Sequence, residues 1–168
     1  MVRHNMAVFY YEQERYTESE ALYQYVLTIM EQTRDPVHRD IAWILDNLGE
    51  LYVTQQKFEL ALPLYERALA IWEQIVGSNS PDTALALYHL ADCRTKRQEY
   101  AIALPLYERT LTILEQSSGS DALQIADILE HMASCLIALG APQQAETHRQ
   151  RALQIRKKRL PPEDSDTD

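Results

Sequence analysis

The sequence predicts an all-α protein, an array of about four stacked helix hairpins, and three observations carry that prediction. Only four glycines stand against long runs of Ala, Leu, Gln, Glu and Arg in 168 residues, and those residues lose little side-chain freedom in a helix. Residues 61–74 read ALPLYERALAIWEQ and residues 103–116 read ALPLYERTLTILEQ, eleven identical positions of fourteen at an offset of 42. So close a repeat in so short a chain points to one recurring structural unit. Apolar residues in both halves of the unit fall three and four apart, as on an amphipathic helix. A hydrophobic content of 46% suffices for a core without disulfides or metals.

Carried along the chain, the offset divides it into units at approximately 1–39, 40–81, 82–123 and 124–160, with 161–168 an acidic tail that lacks apolar residues and is expected to be disordered. The first helix of a unit is best seen in IAWILDNLGELYV (41–53) and the second in LALPLYERALAIW (60–72), with the polar turn TQQKF between them. Two columns stay small, Ala7, Gly49, Ala91, Ala133 and Ser19, Ala61, Ala103, Ala145, which lets helix axes approach within about 8 to 10 Å. Met6, Leu48, Leu90 and Met132 fill a bulky column, and Tyr16, Phe58 and Tyr100 place an aromatic where one helix hands over to the next. Pro63 and Pro105 fall early in the second helix, where the first amides lack intrahelical partners, so a small kink is expected and not a break. Between units, GSNSP at 77–81 offers Ser80 as N-cap and Pro81 as first helical residue, GSD at 119–121 repeats the idea, and Asp35-Pro36 marks the earlier link.

Leu45, Leu48, Gly49, Tyr52, Ala61, Tyr65 and Ala68 resemble the signature of the tetratricopeptide repeat. The period exceeds the usual one of about 34, and a 42-residue unit with A-x-P-L-Y-x-R-A-L-x-I is similar to the longer-helix variety found in kinesin light chains and many bacterial repeat proteins. The last unit departs most, with Pro142 at the aromatic handover and Arg149 where Tyr is usual. The resemblance implies a right-handed α-α superhelix, a solenoid in which stacked pairs share a continuous core and leave one concave wall.

It also implies that the first helix of each unit lines that wall, its second, fifth, sixth, ninth and twelfth positions turned inward. The sixth position then gives Asn5, Asn47, His89 and His131, side chains able to donate and accept hydrogen bonds to an extended peptide. The fifth gives His4, Asp46, Tyr88 and Glu130; the ninth Val8, Glu50, Asp92 and Ser134; the second Trp43, Leu85 and Asp127. Partner-binding candidates are thus Asn5, Trp43, Asp46, Asn47, Glu50, Tyr88, His89, Asp92, Glu130 and His131. An acidic wall with aromatic and aliphatic patches favours a protein or peptide ligand carrying basic and apolar residues. It lacks the Lys and Arg of chaperone-tail clamps and the basic lining suited to the acidic cargo motifs of kinesin light chains. Most of the ten tyrosines fall on core columns, with Tyr11 and Tyr88 the better placed for a ligand.

A formal charge of -9 argues against a nucleic-acid or anionic-membrane footprint over the whole surface. No stretch approaches the roughly 18 apolar residues of a membrane span, and the start lacks signal-peptide order; with Cys93 and Cys135 the only cysteines, a reducing, cytoplasmic setting is expected. His89 with Cys93 and His131 with Cys135 share a spacing of four that could suggest zinc, but the sixth and tenth positions of the helix point apart, so no metal is expected. Neither His89, Asp92 and Cys93 nor His131, Glu130 and Cys135 has an oxyanion donor, because amides inside a helix are already bonded. With no phosphate loop, HExxH or dinucleotide fingerprint, neither a cofactor nor catalysis is expected. RKKR at 156–159 is read as last-turn cations that complement the helix dipole, stopped by Pro161-Pro162.

Two functions fit: a free scaffold that holds a partner in its groove, or the C-terminal sensor or autoinhibitory segment of a larger signalling NTPase or regulator. Met1 aligns with Trp43, inside the first helix of a unit, so the second reading expects repeats or a further domain upstream. A motor adaptor proper is weakened by the absence of heptads.

Overall fold

The computed structural model describes the backbone of residues 2–118 and 123–159 and the side chains of 5–117 and 123–158. These residues form α1 (Val2–Glu12), α2 (Tyr16–Thr33), α3 (Arg39–Thr54), α4 (Phe58–Val76), α5 (Pro81–Lys96), α6 (Tyr100–Ser118), α7 (Leu123–Ala138) and α8 (Pro142–Arg159). The repeat is kept to the residue. Helices α3, α5 and α7 begin 42 apart, and so do α2, α4, α6 and α8. The GSD motif at 119–121 and the Pro161-Pro162 stop with its acidic tail lie outside the described residues.

Each hairpin turns on one backbone device. Glu14, Gln56, Gln98 and Gly140, one per unit, hold positive φ. In the second turn the Gln56 amide donates to the Val53 carbonyl at 2.9 Å and the Lys57 amide to the Tyr52 carbonyl at 2.8 Å. This is a Schellman closure, which satisfies carbonyls left open at the helix end and sends the chain back. Only the fourth copy has glycine there, so three turns carry the cost of an L residue in the left-handed region.

The starts of α3 and α5 are capped as their polar residues suggest. Ser80 Oγ accepts from the Thr83 amide at 3.1 Å, with Pro81 the first helical residue. The Thr83 hydroxyl, itself buried, donates to the Gly77 carbonyl at 2.7 Å and fastens the link to the helix it precedes. In the equivalent place His38 Nδ1 accepts from the Asp40 amide at 3.1 Å. Pro63 and Pro105 lie inside α4 and α6, which continue past them.

The small columns do what close packing requires. Ala7, Ala61, Ala91, Ala103 and Ala133 are fully buried, and buried Ser19 also donates to the Ala7 carbonyl at 2.8 Å. At Gly49 an added Cβ would stand 2.7 Å from a Tyr65 ring carbon, so that approach of α3 to α4 exists only without a side chain. Leu48, Leu90 and Met132 each share a buried cluster with the tyrosine of the preceding hairpin, Tyr23, Tyr65 and Tyr107 respectively. Met6 breaks its column: it is 43% exposed, because no earlier hairpin among the described residues packs on that side of α1.

One periodic feature escaped the sequence reading. Arg67 pairs with Glu31, Arg109 with Glu73 and Arg151 with Glu115, three rungs linking the second helix of each unit to that of the next. The first helices also meet side chain to side chain: Tyr11 to Thr54 at 2.9 Å and Thr95 Oγ1 to Cys135 Sγ at 3.6 Å. Helices α1, α3, α5 and α7 thus meet along one side of the stack and α2, α4, α6 and α8 along the other.

Candidate functional site

The face of α3, α5 and α7 that carries the candidate residues is ordered by stacking between units. The His89 ring lies 5.7 Å from that of Tyr65, and the His131 ring lies 5.4 Å from that of Tyr107 in a nearly parallel stack. The tyrosine of one hairpin thus props the sixth-position residue of the next. Tyr88 stands between them, its ring 5.8 Å from His89 and its hydroxyl 3.3 Å from His131 Nε2. Burial pushes the Tyr88 hydroxyl above the usual phenol range, so it stays a neutral hydrogen-bonding group. Asn47, Tyr88, His89 and His131 are all half-buried, while Asn5 and Glu50 are exposed and Trp43 is 39% exposed.

Asp46 departs from the open wall on which the sequence reading set it. It is only 4% exposed and accepts from Trp72 Nε1 at 3.2 Å. Its other oxygen lies 3.7 Å from His89 Nδ1, and neither atom has a hydrogen-bond partner among the described residues. The remaining carboxylates are largely committed. Asp92 pairs with Lys96 one helical turn on, Asp127 with Arg156 at 3.0 Å, and Glu130 with Arg156 at 3.3 Å. Arg156 therefore braces α8 against α7, a role beyond the helix-end electrostatics expected of the RKKR run. The wall is less negative than a count of its acids implies.

Cys93 and Cys135 are fully buried in separate clusters, and among the described residues no group of three or more His, Cys, Asp or Glu is placed to hold a metal ion. Burial pushes the Cys93 thiol up to about 11, which leaves it protonated near neutrality and a poor nucleophile. No helix among the described residues is long and apolar enough to cross a membrane.

Between α5 and α7 the wall opens into a pocket of about 450 Å³, within the range of ligand-sized cavities. Leu85, Tyr88 and Ile128 form its sides, Thr110 and Leu114 of α6 its floor, and Asp82 and Asp127 its rim. The cleft one unit earlier, between α3 and α5, is closed. There Trp72 of α4, 2% exposed, takes the place of Leu114. Trp43 packs edge-on against it at 5.6 Å, Asp46 holds its indole nitrogen, and the Arg39 guanidinium lies 5.7 Å from its ring and 3.8 Å from Asp82. The sequence reading named Trp43, Leu85, Tyr88 and Asp127 but missed the floor. The available signal was the mismatch of Trp72 with Leu114 inside an otherwise repeated stretch.

No curated protein matches the chain in sequence. Solved structures match its fold closely. BtubC (BKLC) from P. vanneervenii superposes with a TM-score of 0.89 at 22% identity, over 99% of this chain and 67% of that one. A Podosopora anserina protein with nearly identical TPR-like repeats, named for kinesin light chain, gives 0.85 at 21% identity over 98% and 78%. The apo form of RapI gives 0.82 at 17% identity over 94% and 56%. At these identities the likeness concerns the fold, a helical-repeat solenoid. Sequence speaks more specifically: the tetratricopeptide repeat model matches residues 1–74, 49–116 and 82–158, and the chain belongs to the tetratricopeptide repeat family.

Proposed function

We propose that this protein is a non-catalytic interaction scaffold that holds a peptide or partner protein along its inner wall. One observation carries the reading: Trp43, Asn47, Tyr88, His89 and His131 remain partly exposed on helices whose other faces are buried. The rings of His89 and His131 are propped by Tyr65 and Tyr107 before any ligand arrives, so the cost of ordering falls mainly on the partner. Asn5, Glu50, Asp92 and Glu130 extend the surface on either side, and Asp46 acts from beneath it by holding Trp72. A segment with apolar and basic residues suits this wall better than nucleic acid or an anionic bilayer, given the net charge of -9.

The test is capture from lysate of the native host with wild-type protein and with the double variant Asn47→Ala, His89→Ala, read by quantitative mass spectrometry. Recovery of the bound partner should fall about tenfold, while helicity measured by circular dichroism is kept. An unchanged partner profile removes these residues from the site.

A further inference from the structure

We infer that Asp46 is a positioning residue: it fixes neutral His89 with the ring hydrogen on Nδ1, so that Nε2 is offered to the partner as a hydrogen-bond acceptor. The inference rests on the scaffold reading above and names what the partner brings to this point, a donor such as the backbone amide of an extended segment. Its basis is a pair of buried atoms. Asp46 is 4% exposed; one carboxylate oxygen accepts from Trp72 Nε1 at 3.2 Å, and the other faces His89 Nδ1 at 3.7 Å. Both facing atoms are buried, and neither has a hydrogen-bond partner among the described residues.

Chemistry decides which form of the ring suits that contact. An ionised carboxylate only accepts, whereas a neutral imidazole carries one N–H and one lone pair. With the hydrogen on Nε2, two buried acceptors would oppose each other, both unsatisfied. With it on Nδ1 the same contact is attractive, and the Trp72 indole holds the carboxylate from its other oxygen. Free histidine side chains in water favour the opposite form, so the assignment is a consequence of the fold. The His89 side chain is 28% exposed while Nδ1 is buried, which leaves Nε2 to the exposed edge of the ring.

This setting belongs to one unit. Shifted by 42 residues, Asp46 becomes Tyr88 and His89 becomes His131, and the Tyr88 hydroxyl meets His131 at Nε2, 3.3 Å away. A hydroxyl both donates and accepts, so it does not dictate the form of that ring, and it engages the nitrogen that His89 leaves free. The fifth-position residue of one unit thus sets the hydrogen-bonding character of the sixth-position residue of the next.

The test reads the rings directly. Long-range proton–nitrogen NMR correlations of the whole nitrogen-labelled chain, at a pH well above the usual histidine value of about 6.5, locate the hydrogen in each neutral imidazole. His38 is an internal reference, because its Nδ1 accepts from the Asp40 amide at 3.1 Å and its hydrogen therefore lies on Nε2. His89 should give the opposite pattern. In Asp46→Asn the amide oxygen keeps the Trp72 bond and the amide hydrogens turn to His89, so His89 should switch to the His38 pattern. Hydrogen on Nε2 of wild-type His89, or on both nitrogens, would overturn the assignment, and that reading does not depend on how well any variant folds. In the lysate capture, Asp46→Asn should lower recovery of the proteins bound by wild type about tenfold, the effect of setting donor against donor. The loss should vanish in a His89→Asn background, where the side chain offers both groups; an equal loss in both backgrounds, or in neither, would overturn the positioning role. If His89 holds its hydrogen on Nδ1 while Asn47→Ala, His89→Ala keeps its partner profile, the scaffold reading falls and the donor requirement with it. If the hydrogen lies elsewhere and the double variant still loses its partner, the scaffold reading stands without this inference.

Discussion

The clefts on either side of α5 are built from the same repeat, yet the one toward α3 is sealed and the one toward α7 is open. Residues 61–74 and 103–116, which floor them, differ at three positions: Ala68 and Thr110, Ala70 and Thr112, Trp72 and Leu114. The first and last of these pairs supply Thr110 and Leu114 to the pocket. Identical positions build the frame and the differing ones decide whether a cleft is filled or hollow. A repeat protein can thus reshape one cleft without disturbing its fold, because neighbouring hairpins are joined through shared columns that the exchanges leave in place.

The largest test of that contrast exchanges the plug. Trp72→Leu should open the first cleft and strand the buried Asp46 carboxylate, lowering stability by about 3 kcal/mol through lost packing and an unsatisfied acceptor. Urea denaturation measures it, and a loss below about 1 kcal/mol would mean that the indole is not what seals the cleft. Next in size is Gly49→Ala, which forces a methyl group against Tyr65 at 2.7 Å and should cost about 1–3 kcal/mol. Ala91 and Ala133 occupy the same column without such a clash, so α3 and α4 are the tighter pair; a neutral thermal melt for the variant would refute that.

The outer face should not distinguish the clefts. Removing a rung with Arg67→Ala or Arg151→Ala should cost equally, below about 1 kcal/mol each, because these pairs are partly exposed and screened. A clear inequality in denaturation midpoints would show that the ladder helps set cleft width. The smallest effect is a gain. Gln98→Gly, at φ 63° in the turn between α5 and α6, should stabilise by about 0.5 kcal/mol, visible as a slightly raised melting temperature; a lower one would show that the side chain does more there than occupy a strained conformation.

Most of the architecture could be read directly. The offset of 42, the small columns around Gly49 and Ala61 and the Ser80 cap depend on spacing and residue type, and these act within one hairpin or between neighbours of fixed register. The candidate wall was legible only as a set of positions. Asp46 reads as a surface acid on an amphipathic helix, and its burial depends on an indole donor 26 residues away. The Glu31, Glu73 and Glu115 rungs also hide from local reading, since their partners lie 36 residues along the chain. Met6 repeats the sequence of its column but not its surroundings, because burial is supplied by a neighbour.

By itself the sequence determined the unit: two amphipathic helices, a tight turn and faces that must be shared, all consequences of periodicity and backbone preference along a short stretch of chain. Only the tertiary structure decided which side chains of the inner wall are spent on one another and which stay available, and that one cleft is filled while its neighbour is hollow. Those outcomes rest on the volumes and hydrogen-bonding groups that distant residues bring to one point, and no local pattern in the chain encodes them.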